Sequence, residues 1–589
     1  MSYDPTNPLI VQSDRTILVE VDNEKYQAAR DALAPFAELE KSPEHIHTYR
    51  LTDLSLWNAA AAGMTAQEMI EVLDQNSKFP LPANIGADIE DRVSRYGRLQ
   101  LVRVNKQLRL ICPDRPLLEE LSRQKTVSKY LGEPLGEAAY VVNEAHRGVL
   151  KQSLIGCGYP AEDLAGYAEG TNLKIAAREI TRAGVPFNVR DYQQDAADVF
   201  HAGGDVRGGS GVIVLPCGAG KTIVGIAAIT RLQKSTLVLT TSITSVKQWY
   251  REIIDKTDIE PDAVGEFTGE EKKVRPITIA TYQIVTYRPN KDEDFPHFSI
   301  FGERDWGLII YDEVHLLPAP VFRVTADIQA RRRLGLTATL VREDGRESDV
   351  FTLIGPKKYD VPWRALEQKG WIAEANCTEI RCSLPEQNRM EYAVAPWRQK
   401  FRLASENPVK ADLCEEIIER YPNARILLIG QYLQQLRDLA KRFDIPLITG
   451  QTSQSDREAL YEQFRSGRIK QLVLSKVGNF ALDLPDANVL VQVSGTFGSR
   501  QEEAQRLGRI LRPKADRQSA HFYTLVTRDT KELDFAHHRQ LFLTEQGYSY
   551  EILDETNFFD DEEENGDDQE NSSDAEDSVD SVASTSGKN

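Results

Sequence analysis

The stretch GVIVLPCGAGKTIVGIAAITRL, Gly211–Leu232, decides the fold. An unbroken apolar run reads as a strand buried on both faces. The loop after it carries Gly218, Ala219 and Gly220, and an apolar helix follows. The glycines let the backbone approach a phosphate closely. The loop N–H groups and the helix N-terminus then face the anion. Lys221 would reach the β- and γ-phosphates and Thr222 would ligate the metal, so ATP and Mg²⁺ are the expected cofactors. The full Walker A pattern has a glycine where Leu215 stands.

Around this stretch the same pattern repeats. GVIVLP, STLVLTT, ITIATY, GLIIYDE and RLGLTAT alternate with helical segments, as in a parallel sheet with crossover helices. After a less regular segment the alternation resumes with ARILLIG, IPLITG, KQLVLS, ANVLVQVS and HFYTLVT. The expected fold class is α/β, with two tandem RecA-like lobes. An α/β N-terminal region precedes them and a disordered acidic tail follows. The expected units are 1–131 (an α/β accessory domain), 132–186 (a small unit), 187–361 (the ATP-binding lobe), 362–407 (a thumb-like insert), 408–550 (the second lobe) and 551–589 (the tail).

LIIYDEVH, Leu308–His315, ends a buried strand in two carboxylates. Asp312 is placed to hold Mg²⁺, and Glu313 to orient and activate water. LGLTATL, Leu334–Leu340, offers Thr337 and Thr339 to couple nucleotide state to a second ligand. EEAQRLGRILRPK, Glu502–Lys514, sets Gln505, Arg509 and Arg512 on neighbouring helical turns. Supplied by the second lobe, Arg509 and Arg512 would stabilise γ-phosphoryl charge when the lobes close. Gly508 inside that helix costs ~1 kcal/mol against alanine, which suggests close backbone packing. VRDYQQDA, Val189–Ala196, places Arg190 and Gln193 before the phosphate loop and resembles the segment there that reads adenine, a role that falls to Gln193. LTTSITSVKQW, Leu239–Trp249, offers hydroxyls and Lys247 for phosphate contacts, which position rather than specify. ATYQ, Ala280–Gln283, puts Thr281 at the next strand end.

The charge is uneven. From Glu551 to Asn589 there are 15 acidic residues and one lysine, so the tail carries −14 of the net −19 and the rest only −5. A polyanionic partner is therefore not excluded. The tail is too polar to offset its ordering entropy. It would screen basic grooves or merely solubilise the chain. Six cysteines lack metal-ligand spacing and read as reduced thiols of a cytoplasmic protein. The chain has no run of eighteen apolar residues, which excludes a membrane span, and its start does not read as a secretion signal.

The order of these segments along two lobes resembles superfamily 2 helicases, which commonly relax the glycine position held here by Leu215. GLTATLVREDGRESDVFTLIGPKKYDVPW, Gly335–Trp363, resembles the XPB family of DNA repair helicases, with Arg342, Glu343 and Asp344 as its Arg-Glu-Asp motif. SKVGNFALDLPDANVLVQVSGTFGSRQEEAQRLGRILRPK, Ser475–Lys514, is similar to that family's motif V–VI block. The leading module looks like the N-terminal domain of bacterial XPB-like proteins. The resemblance implies DNA-dependent ATPase activity, 3′-to-5′ unwinding, a forked or partly unwound DNA substrate and nucleoid association. It also implies a damage-recognition-like unit before the first lobe, and a repair-protein partner without identity. Arg342, Glu343 and Asp344 would act at the DNA junction or form a salt bridge across the cleft. A duplex translocase and an RNA-directed helicase stay open beside the DNA helicase.

Overall fold

The computed structural model describes residues 3–559, other than 42–44, 206, 217, 291–294, most of 318–330, 339–346, most of 362–374, 476–486, 496–519 and 546–549. The first unit is an antiparallel sheet of β1 (Leu9–Val11), β2 (Thr16–Glu20), β3 (Glu38–Lys41) and β4 (Ile46–Arg50), ordered β1-β2-β4-β3. Alternation along β2 and β4 sends Ile17, Val19 and Tyr49 to one face. Leu33, Leu56, Leu73 and Ile89, from four helices, cover it. The helix Ala66–Asn76 starts in a capping box. Thr65 accepts from the Glu68 N–H, and Glu68 accepts from the Thr65 N–H at 2.7 Å.

The second unit corrects the expected boundary at 131. Its sheet is built from β5 (Leu99–Val104), β6 (Gln107–Ile111), β7 (Leu131–Pro134), β8 (Ala139–Val142) and β9 (Ala161–Leu164), ordered β7-β8-β6-β5-β9. Asn105 and Lys106, both at positive φ, turn the hairpin of β5 and β6. It belongs with the residues after 131, because Leu99, Leu101, Leu108 and Leu110 pack on Leu118, Leu150 and Leu154 in a core separate from the first. The division between the units falls between Arg95 and Leu99. Asp163, just inside β9, is buried against Arg147 Nη2 at 2.7 Å and Lys151 Nζ at 2.9 Å. Burial opposes its charge, but the two cations outweigh that and hold the carboxyl far below the usual range.

Both units dock on the lobe that follows. Gln152, on the helix Arg147–Gly156, donates to Asp349 Oδ1 at 2.8 Å, on the helix Glu347–Leu353. Asn58 Oδ1 accepts the Lys357 N–H at 2.9 Å.

The first lobe is a seven-stranded parallel sheet: β10 (Ser210–Val214), β11 (Thr236–Thr240), β12 (Val264–Phe267), β13 (Ile277–Thr281), β14 (Leu308–Asp312), β15 (Arg332–Thr337) and β16 (Lys357–Asp360). Its order is β12-β13-β11-β14-β15-β10-β16. The five apolar runs are its five inner strands, and the edge strands β12 and β16 add to the expectation. β10 and β14 flank β15, so the glycine loop, Asp312 and Thr337 emerge together at the carboxyl edge.

The second lobe repeats this with β17 (Ala375–Cys382), β18 (Ile426–Gly430), β19 (Leu447–Ile448), β20 (Gln471–Ser475), β21 (Val489–Gln492), β22 (Ala520–Thr527) and β23 (Tyr550–Asp554), ordered β19-β20-β18-β21-β22-β17-β23. Two expected boundaries change here. β17 lies inside the stretch 362–407 assigned to an insert, yet it pairs along its whole length with β22. Glu551–Asp554, assigned to the tail, complete β23 against β17. Cys377, Ile380 and Cys382 are buried in the lobe, and that burial draws both strands into the sheet. The tail beyond 559 lies outside the described residues. Among the described residues no helix is long and apolar enough to cross a membrane.

Candidate active site

The glycine loop leaves β10 through Leu215. Gly218 and Gly220 have φ of 83° and 82°, a region that L side chains rarely adopt. A Cβ on Gly220 would also sit 2.5 Å from Gln193 Nε2. The helix Lys221–Leu232 starts at once, with its first N–H groups at the loop. Gln193 is buried, and both ends of its carboxamide are used. Nε2 donates to Ala219 O at 2.8 Å, and Oε1 accepts the Arg190 N–H at 3.1 Å. Tyr192 OH donates to the same Ala219 carbonyl at 2.6 Å. Gln193 and Tyr192 thus brace the loop from beneath. Arg190 stacks on the Trp371 ring at 4.6 Å and donates to Trp371 O at 3.3 Å, tying this segment to the crossing between lobes.

Opposite the loop, Glu313 takes a left-handed φ of 50°, a conformation that costs a non-glycine residue about 1–3 kcal/mol. Glu313 Oε1 lies 3.4 Å from Lys221 Nζ. Its Oε2 is buried and lies 3.5 Å from His315 Nδ1. His315 Nδ1 is 2.7 Å from Thr337 Oγ1, which links the DEVH turn to the end of β15. Asp312 Oδ1 accepts the Glu313 N–H at 3.1 Å, and Oδ2 accepts the Trp249 indole N–H at 2.9 Å. Burial, and then the charge of Glu313, raise the Asp312 carboxyl to about 6. Burial opposes ionisation of Glu313 too, but Lys221 and His315 outweigh it and draw that carboxyl below its ordinary value.

A P-loop lysine facing a paired carboxylate at the carboxyl edge of a parallel sheet fits the core of a nucleotide-driven motor. Comparison with known proteins places it more closely. Residues 366–588 match the family model of the ERCC3/RAD25/XPB C-terminal helicase, and 186–342 match that of the type III restriction enzyme res subunit. The DNA 3′-5′ helicase XPB of Kineococcus radiotolerans is 52% identical, over 93% of this chain and 96% of its own length. The protein of that name from Mycobacterium tuberculosis is also 52% identical, over 93% and 98%. The general transcription and DNA repair factor IIH helicase/translocase subunit XPB/SSL2 of Saccharomyces cerevisiae is 32% identical, over 92% and 72%.

The chain belongs to the XPB family.

The residues of this XPB-family site fit a magnesium nucleotide. Two half-buried carboxylates lie beside one lysine and the glycine loop, a donor set suited to a phosphate and a divalent cation. Lys221, Gly218, Ala219, Gly220 and Thr222 would hold the phosphates, and Thr222 and Asp312 the metal.

The remaining predicted residues are placed unevenly. Lys247 is half-exposed, but its Nζ is paired with Glu266 Oε2 at 2.7 Å, so a phosphate would have to displace that carboxylate. Thr281 is buried. Its hydroxyl caps the helix Tyr282–Val285, accepting the Ile284 N–H at 3.2 Å, so it is not presented to a ligand. Thr339, Arg342, Glu343, Asp344, Gln505, Arg509 and Arg512 lie outside the described residues. Sequence reasoning missed Tyr192, Trp249 and Trp371. One signal for Trp249 existed: Gly225 interrupts an apolar helix, and a Cβ there would meet Trp249 Cη2 at 2.4 Å.

Proposed function

We propose that this chain is an ATP-dependent DNA translocase and helicase of 3′-to-5′ polarity that acts in DNA repair. The observation that carries the reading is the Lys221–Glu313 pair, closed at 3.4 Å beside a half-buried Asp312, in a chain collinear with XPB relatives almost end to end.

The pair is a switch of partners. Lys221 Nζ holds Glu313 through Oε1. A nucleotide phosphate is the better partner for Lys221, because it carries more charge than one carboxylate. Once Lys221 turns to it, Glu313 keeps its αL backbone and the contact of Oε2 with His315, and Oε1 is free to accept a proton from water. Bound Mg²⁺ would screen the phosphate charge. Arg509 and Arg512, arriving from the second lobe, would stabilise the charge that develops on the γ-phosphoryl group. Loss of that charge on hydrolysis releases the arginines, and the lobes part. Contacts made alternately by the two lobes on the DNA backbone give translocation, with affinity that falls steeply with salt.

Steady-state ATPase in Mg²⁺ tests this. The chain is compared alone and with single-stranded, duplex and forked DNA and with RNA, with Lys221→Ala as the inactive control. Stimulation by DNA and not by RNA, with unwinding of a 3′-tailed fork, is expected. Equal or greater stimulation by RNA would overturn the DNA assignment. Triplex displacement without fork unwinding would reduce the function to duplex translocation.

A further inference from the structure

Trp249 has no part in the scheme above, yet it touches two of its elements. It lies on the helix Ile243–Lys256 and is almost fully buried. Its indole N–H donates to Asp312 Oδ2 at 2.9 Å. Its ring edge fills a notch in the helix Lys221–Leu232 at Gly225, one turn after Lys221. A Cβ there would meet Cη2 at 2.4 Å and Cζ3 at 3.0 Å. Any residue other than glycine at 225 would push the ring off the carboxylate.

The same helix is tied on its other face. Lys247, two residues before Trp249, is half-exposed and paired with Glu266 on β12 at 2.7 Å. The N-terminus, capped by Ser242, opens at the carboxyl edge of the sheet, where the glycine loop also lies. One rigid fourteen-residue element therefore has an exposed cationic tether and a buried tether to the carboxylate that would hold Mg²⁺.

We propose that Trp249 is the positioning residue through which DNA engagement sets Asp312. This rests on the DNA-stimulated ATPase reading given above. A phosphate that takes Lys247 from Glu266 exchanges one tether, and the small shift of the helix reaches Asp312 through the indole. The carboxylate's other donors, the Glu313 N–H on Oδ1 at 3.1 Å and Thr240 Oγ1 at 3.5 Å from Oδ2, come from strand ends, so the indole is the donor that moves with the helix. Hydrogen bonds to a metal ligand are commonly worth 10- to 100-fold in metal affinity or activity. Coupling between two sites is reciprocal in binding free energy.

The test compares the intact chain with Trp249→Phe, which keeps most of the ring and loses the N–H, and with Trp249→His, which restores a ring N–H. The readouts are the affinity for a non-hydrolysable ATP analogue with Mg²⁺, with and without duplex DNA, the apparent Mg²⁺ constant, and the thermal midpoint. Expected for Trp249→Phe is an Mg²⁺ constant weakened on the order of 10-fold, with nucleotide affinity no longer responsive to DNA. Partial recovery is expected in Trp249→His. Packing loss alone would lower the midpoint and leave the DNA response intact, and that result overturns the proposal. If Trp249→Phe does not fold, fluorine NMR of the 5-fluorotryptophan-labelled chain in a Trp371→Phe background replaces it. An indole resonance that moves with Mg·ADP alone and with DNA alone is expected, and no such resonance overturns the proposal. An intact chain whose ATPase ignores all DNA would instead defeat the reading beneath it.

Discussion

Lys410 and Glu532 form an ion pair with no solvent exposure on either side, and removing one partner should be costly. Lys410 Nζ donates to both carboxylate oxygens at 2.8 Å and to Val493 O at 2.9 Å. Glu532 also accepts the Thr527 N–H at 3.0 Å. Lys410→Met leaves a buried carboxylate without its cation and a carbonyl without its donor. Breaking such a pair costs about 3–5 kcal/mol, which is roughly a hundred- to a few thousand-fold in an opening equilibrium at ~1.4 kcal/mol per tenfold. That is a large part of the stability of an ordinary domain. Lys410→Met/Glu532→Gln removes both charges and keeps an acceptor for Thr527, so it should cost at least ~2 kcal/mol less than the single change. Native-state hydrogen exchange by mass spectrometry on the full chain, read in peptides from β18 and β22, measures the second lobe by itself. The chain departs from Ser494 toward the segment bearing Arg509 and Arg512, so Lys410→Met should also depress ATP turnover. Protection within about 1 kcal/mol of the unchanged chain, or a double variant as damaged as the single, would refute this account of the pair.

Glu313→Gln should still bind nucleotide, and tightly, because Lys221 is released from its carboxylate. Turnover should fall 10²-fold or more for loss of the base, ~10²–10⁴ being the usual worth of general base catalysis; a fluorescent nucleotide and single-turnover hydrolysis separate the two. His47 is buried beside Tyr26, with its Nδ1 2.8 Å from the phenol oxygen. Burial, and then Arg30, push its imidazole down to about 4 from 6.5. The unfolded chain then binds the extra proton between those values. The contribution of His47 to the first unit is therefore complete above about pH 6.5 and is lost as pH falls toward about 4. In thermal melts His47→Gln should flatten that part of the pH dependence, and an unchanged slope would exclude this origin. Thr65→Ala removes the cap of the helix Ala66–Asn76 and should cost ~1 kcal/mol, read as faster exchange in that helix alone.

The inner strands were legible because strands covered on both faces must be apolar throughout, as in VIV of β10 and LII of β14. β17 was not, because ANCTEIRC looks amphipathic while Glu379 within it is fully buried. That carboxylate is met by Arg381 Nε at 2.8 Å and by Gln540 Nε2 at 2.5 Å, partners 2 and 161 residues away. β16, KKYD, is an edge strand whose polar pattern follows from having one neighbour. The boundary expected at 131 fell too late because the alternation along β5 and β6 carries no record of which core receives them. In the site, spacing gave Lys221, Asp312 and Glu313 because their chemistry demands fixed positions along strand and loop. It did not give the clamp of Gln193 and Tyr192 on Ala219, or Trp249 on Asp312, which depend on side chains meeting across 26, 27 and 63 residues.

The place of β17 bears on how the chain is made. It is the first strand of the second lobe to leave the ribosome, yet it lies between the last two, with Ala375 paired to Ala520 and Cys377 to Tyr550. The nascent first lobe can close on residues already synthesised, while β17 must wait well over a hundred residues for either neighbour. Contacts so distant in sequence are slow to form, and an unpaired strand is exposed to wrong pairing meanwhile. Its alternating polar side chains suit that interval, since Asn376, Glu379 and Arg381 make it a poor template for another strand until its own arrive. Chain termination before residue 550 would leave that edge open for good, so such truncations should aggregate while truncations beyond 559 should not.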